Sequence, residues 1–322
     1  MESIIHKEKQ TNHPEWNESY YFVFYDNQRK IGGMSRIGFK PNKQEGMTFF
    51  FLFLSDGSVA GYHQEIHIKE LKSRLKVKGM HHDWQPNGNW NFKFNGNMFF
   101  VENSLDLPKI KQEPKLIQKV TKVNMDFLYV PINEVYEYSK YMTPESLEIG
   151  KKSGDKHWEQ IGLVSGDLKI GENLIQVNKV MSQRDHTYGV RDWTGVGDWF
   201  YYVVWFNKDL AINPAAIITD DGRISTGGFL YKQGKNIPLK SINILNQKFE
   251  QNGILPISSK LEIIDDEDHK YILEGEVGKI IPVPFKNFQG NESVLIQSFG
   301  KFKLNETEKG YGTFETLRKI RN

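Results

Sequence analysis

The chain has 322 residues, with 42 Lys and Arg against 40 Asp and Glu, 13% aromatic residues and no cysteine. That length favours two domains, each able to bury its own core. A net charge of +2 excludes a basic field for nucleic acid, and the lack of cysteine excludes disulfides, thiolate nucleophiles and Cys-ligated metal centres. The opening MESIIHKEKQTNHPEW is polar, and the most apolar run, Met47 to Leu54, is far shorter than the roughly 20 residues of a spanning helix. A cytoplasmic protein with no transmembrane segment is expected.

In chain order, aromatic and β-branched runs alternate with turn residues. Residues 19–25 (SYYFVFY) lead into Asp26-Asn27-Gln28 and then KIGGMSRIGF; residues 48–54 (TFFFLFL) meet Ser55-Asp56-Gly57 and then VAGYHQEIHI. Each reads as strand, turn, strand. WNFKFNGNMFFVE carries Asn95-Gly96, a strong hairpin signal. The stretch from Pro131 to Leu147 could be helical, with Pro144 interrupting it. DLKIGENLIQV, AAIITDDGRISTGGFLY and KLEIIDDEDHKYILEGEV again read as hairpins. Many short strands with almost no helix predict a β-sandwich or barrel architecture. Composition turns mixed and then polar between Lys140 and Gly154, so the boundary is set there: an N-terminal β domain over 1–145 and a C-terminal one over 146–322.

The densest polar and aromatic segment is QRDHTYGVRDWTGVGDW, from Gln183 to Trp199. Surface turns seldom carry so many Trp and Tyr, and core strands exclude this many charges unless they are paired. On an extended strand Asp185 and His186 face opposite sides. Neighbouring arginines would lower a carboxylate's pKa and aromatic walls would raise it, and a carboxyl kept protonated in such a pocket is a general acid. The competing view is a buried Arg–Asp network that staples the two domains. A second cluster, His157-Trp158-Glu159, places His157 and Glu159 on one strand face, within reach of the first segment if the strands are neighbours. Trp16, Glu18, Tyr20 and Arg36 form a looser set.

Other clusters read as structural. His63 and His67 lie roughly 13 Å apart on a strand, too far to share a metal. His81-His82-Asp83-Trp84 reads as an exposed loop, and Asp265-Asp266-Glu267-Asp268 as a charged hairpin tip. GVGDW and STGGF open no helix, so no phosphate loop is present, and there is no GxSxG elbow.

RDHTYGVRDW resembles the Asp-His-aromatic-Gly motif of the lipocalin-like carotenoid 1,2-hydratase (hydroxyneurosporene synthase) group. WNESYYFVFYD with GGMSRIGFKPN, HWEQIGLVSGDLKI, and Gly310 to Glu315 (GYGTFE) are similar to segments of two-domain relatives of that group, in the same order from about Pro14 to Glu315. The resemblance implies two lipocalin-like (calycin) β-barrels side by side, with a hydrophobic cavity at or near their junction. It also implies an aspartate that protonates an isolated C=C to give a carbocation. The matching position is Asp185, with Asp192 as its competitor, while Arg184, Arg191 and His186 would set protonation and orientation. Tyr188, Trp193, Trp199, Trp158, His157 and Glu159 would line the substrate cavity. The expected activity is a terpenoid or isoprenoid cyclase or hydratase, a lyase or isomerase, needing no cofactor and no metal. Its partner would be a hydrophobic small molecule and not nucleic acid. The rival expectations are a terpene synthase acting on a prenyl diphosphate and a non-catalytic carrier of a hydrophobic ligand.

Overall fold

The computed structural model describes residues 5–321 apart from 72–73, 251 and 288. Eleven strands come first: β1 (Trp16–Asp26), β2 (Ile31–Lys40), β3 (Glu45–Phe53), β4 (Val59–His67), β5 (Leu75–Val77), β6 (Met80–Trp84), β7 (Trp90–Val101), β8 (Lys119–Pro131), β9 (Tyr136–Glu137), β10 (Lys156–Ile170) and β11 (Asn173–Val190). Eight more follow: β12 (Asp198–Asn207), β13 (Leu210–Ile218), β14 (Ile224–Lys232), β15 (Lys235–Phe249), β16 (Pro256–Asp265), β17 (Lys270–Lys286), β18 (Glu292–Leu304) and β19 (Glu308–Lys319). The protein is all-β, as expected, and no helix of the described residues is long and apolar enough to cross a membrane.

The chain forms two compact units. One takes the described residues up to Val135 together with Gly154–Arg191; the other takes Tyr136–Ser153 and the described residues from Asp192 onward. Residues 154–191 thus pack with the N-terminal strands, although they lie beyond the boundary near 145 drawn from composition. The reason is pairing: β11 lies against β1 from Trp16 opposite Val190 to Phe24 opposite Ser182, and β10 lies against both β11 and β8.

In the first unit the strand order is β4-β3-β2-β1-β11-β10-β8-β7. A short pairing of β4 with β7, from Val59 opposite Val101 to Gly61 opposite Phe99, brings the two ends of that order together. Strands β6 and β5 continue from the first half of β7. β1 is buried on both faces, which explains its unbroken aromatic run. One face sends Trp16, Tyr20, Phe22 and Phe24 into the main core with Phe50, Phe92, Phe94, Phe127 and Tyr129. In the second unit β12 to β19 form a closed barrel in chain order, filled by Phe200, Tyr202, Ile263, Phe302 and Phe314 among others.

Three local expectations are corrected. Asn95-Gly96 makes no hairpin but lies inside β7; a Cβ at Gly96 would fall 2.7 Å from the Phe94 ring, so the glycine serves close aromatic packing. Pro144 does not interrupt a helix. It starts one, α1 (Pro144–Ile149), where the side chain of Thr143 accepts the N–H of Ser146 and the proline's missing N–H costs nothing. His81 to Trp84 is not an exposed loop but most of strand β6, with His82 only 2% exposed.

Candidate functional site

β10 and β11 form a hairpin whose register places Glu159 opposite Asp185, His157 opposite Thr187 and Trp158 opposite His186. On the other flank of β11, Tyr21 of β1 is opposite Asp185, and Arg36 of β2 is opposite Tyr21. Side chains alternate along each strand, so these residues separate into two sets on opposite faces.

The first set gathers around Asp185. The residue is 8% exposed, and its carboxyl forms no hydrogen bond or ion pair with another described residue. Burial and then the neighbouring Glu159 carboxylate push its pKa up to about 6, against the weaker pull of His157, Arg191 and Arg36. Glu159, fully buried, accepts from His157 Nε2 at 2.5 Å and from Gln183 Nε2 at 2.5 Å. His157 Nδ1 lies 2.6 Å from Thr187 Oγ1. Burial pulls the His157 pKa down to about 4, so near neutrality the ring is uncharged. With Nε2–H donating to Glu159, Nδ1 accepts the Thr187 hydroxyl. One ligand atom each from His157, Glu159 and Asp185 lies within 4.8 Å of the others. Tyr21, Phe49 and Phe51, all buried, supply aromatic surface on this side; Tyr21 meets Phe49 edge-on and Phe49 stacks on Phe51.

The second set points into the core of the first unit. Glu18 and His186 are both fully buried, and His186 Nε2 donates to Glu18 Oε1 at 2.6 Å. His6 Nδ1 lies 3.1 Å from the same oxygen, and the His6 backbone N–H donates to Oε2. Tyr20 stacks on His186 with centroids 4.0 Å apart, and Trp158 does so at 4.9 Å. Tyr188 packs on His6 and Trp158. One rung along the strand, Arg184 Nε donates to Gln160 Oε1 and its guanidinium lies over the Trp90 ring.

The expected site residues therefore do not converge on one point. Asp185, Glu159 and His157 come together, with Arg191 acting on Asp185 through charge. His186 and Arg184 face the opposite side of β11, with Trp158 and Tyr188, so neither touches Asp185 directly. Asp192, Trp193 and Trp199 belong to the second unit. Asp192 lies past the end of β11 and caps a turn, accepting from the Thr194 N–H and hydroxyl. Trp193 stacks on Phe285 and meets Trp199, whose indole N–H donates to Glu315. Gln183, Thr187, Tyr21 and His6 were not legible as site residues. Only the strand pairings and the residues before β1 bring them to these positions.

A two-domain, lipocalin-like β fold with a buried carboxyl–imidazole cluster on one strand pair is the class of protein these observations define. Residues 4–320 match the family described as "Domain of unknown function (DUF7064)", and the chain belongs to that family. No curated protein matches its sequence. Among solved structures it is similar to an AttH candidate from Nitrosomonas europaea, at 10% identity and TM-score 0.62, covering 98% of this chain and 97% of that one. It is also similar to kievitone hydratase from Nectria haematococca, at 10% identity and TM-score 0.55, covering 97% of this chain and 91% of that one. CghA, a structure also known with Sch210972, gives 10% identity and TM-score 0.55 over 96% of this chain and 88% of that one. At such identities the likeness shows a common fold.

Proposed function

We propose that the protein is a cofactor-independent hydratase or cyclase of a hydrophobic, isoprenoid-type substrate, with Asp185 as its general acid. The observation that carries this is the Asp185 carboxyl: buried, without a hydrogen-bonding partner among the described residues, and with its pKa pushed up to about 6. A carboxyl serving as a structural staple would be paired, and its pKa would fall. A carboxyl held next to a second carboxylate in a dry setting keeps its proton and has a reason to give it away.

The chemistry follows. Asp185 transfers its proton to one carbon of an alkene, and the π electrons form the new C–H bond. The other carbon is left cationic, and the ring faces of Tyr21, Phe49 and Phe51 stabilise it. Water adds to the cation, or a second alkene of the same substrate does, and the proton then lost returns to the Asp185 carboxylate. Glu159, held by His157 and Gln183, keeps negative charge beside Asp185 and so favours its protonated form. Asp192, which caps a turn, takes no part. The fold shared with a protein named as a hydratase is consistent with this reading.

The test is a mass-spectrometric screen of purified protein against prenyl alcohols, prenyl diphosphates and terpenoid alkenes in isotopically labelled water. Expected are turnover with solvent hydrogen placed on carbon, and loss of that turnover in D185N at unchanged far-UV circular dichroism. Full activity in D185N rejects the assignment. Tight binding of the same compounds without conversion would mark a carrier, and a magnesium requirement would mark diphosphate chemistry.

A further inference from the structure

We propose that the core of the first unit holds a second site, separate from Asp185, in which His6, Glu18 and His186 bind one divalent transition-metal ion of the zinc class. It does not rest on the hydratase reading, because the two sets of residues lie on opposite faces of β11.

The geometry argues for it in three ways. First, donor atoms from two imidazoles and one carboxylate lie within 4.8 Å of one another, the ligand types such a metal takes. Glu18 Oε1 is 2.6 Å from His186 Nε2 and 3.1 Å from His6 Nδ1. In a tetrahedral zinc centre neighbouring donors are about 3.3 Å apart, from metal–ligand bonds of about 2.0–2.1 Å. The two carboxylate–imidazole distances therefore need to widen by less than about 1 Å, a change that side-chain torsions absorb.

Second, the donors are already oriented by their surroundings, as metal ligands are. The His6 backbone N–H holds the second carboxylate oxygen and turns the first toward both rings. Tyr20 stacks on His186 at an interplanar angle of 14°, and Trp158 stacks on His6 at 11°.

Third, the charge arrangement suits a cation. Two imidazoles converge on a single Glu18 oxygen inside an aromatic enclosure, so a cation there would meet one carboxylate and two nitrogen donors. A metal takes lone pairs from all three at that one point, with each imidazole proton moving to the far ring nitrogen or to solvent. The ligand set leaves coordination positions open, so the bound ion could hold water or a small ligand.

Untagged protein, stripped with a chelator, is titrated calorimetrically with Zn²⁺ and, in parallel, with Co²⁺ followed by its visible absorption. We expect one equivalent per chain, with a visible Co²⁺ band showing nitrogen and oxygen ligation. E18Q, H6A and H186Q should each weaken binding by about tenfold or more, while D185N binds as the wild type does. Folding of every variant is checked by circular dichroism. His6 precedes β1, so H6A decides the matter if the two core variants fail to fold. No saturable binding by the wild type, or binding unchanged in H6A and E18Q, overturns the proposal.

Discussion

Asp185 and His157 lie close together, yet burial moves their pKa values in opposite senses. The aspartic acid rises to about 6 and the imidazole falls to about 4. The acid must be protonated and the imidazole neutral, so the proposed reaction runs best between those values. Turnover should fall roughly tenfold per pH unit above the Asp185 pKa, and a pH–rate profile checks this. Stability carries the same signature. Folded Asp185 holds its proton where the unfolded chain, with its ordinary carboxyl, has lost it, so this residue's contribution declines as pH rises from about 4 to about 6. His157 acts the other way and masks the decline, since the unfolded imidazole binds a proton that the folded one refuses. The difference between D185N and wild type isolates the aspartate. It should be near zero at pH 4 and reach roughly 2–3 kcal/mol in favour of D185N above pH 6, as read by denaturant unfolding across that range. A variant that gains stability while losing turnover would be expected of a strained catalytic group.

Strand alternation decides which residues can act together. The motif Arg184-Asp185-His186 looks like one cluster when read along the chain, but β11 sends the aspartate to one side and its neighbours to the other. The pairing of Asp185 with Glu159 follows from a β10 register with a bulge between Val164 and Gly166. Gly166 has φ +147, a region L side chains avoid, and a Cβ there would lie 2.0 Å from the Asp126 carbonyl oxygen. G166A should therefore cost about 2 kcal/mol or more, with a matching drop in Tm. Because the bulge sets how β10 meets β11, and so which residue faces Asp185, activity should fall with it. The misread Asn95-Gly96 belongs to this scale as well. The dipeptide is a turn signal only when the flanking strands pair with each other, and in β7 the two flanks have other partners: residues before it meet β6, those after it meet β4, and β8 runs along both.

Topology makes the two units unequal as fragments. The barrel of the second unit is built from β12 to β19 in chain order, so each strand finds its neighbour across a short connection, except for the closing pair β12 and β19. The first unit needs β10 and β11 to bridge β1 and β8, across a chain excursion that packs elsewhere. A fragment spanning 192–322 should give a β-type circular dichroism spectrum and a cooperative melt, whereas 1–145 should give neither. Folding of 1–145 alone would show that the composition boundary had found a domain after all.

The all-β class and most of the hairpins were legible in the sequence, as was the motif that offers Asp185 and Asp192 as candidate acids. All depend on residues near one another in the chain: β-branched and aromatic runs, turn residues, and a dense motif. Tertiary structure alone decided that residues 154–191 complete the first unit and that Glu159, rather than Arg184, stands beside Asp185. It alone brought His6 to Glu18 and His186, residues 12 and 180 positions away along the chain. The physical reason is that local propensity shapes a strand but does not choose its neighbours. That choice is made where whole strand faces are buried together, and a burial energy shared among many residues leaves no mark at any single one.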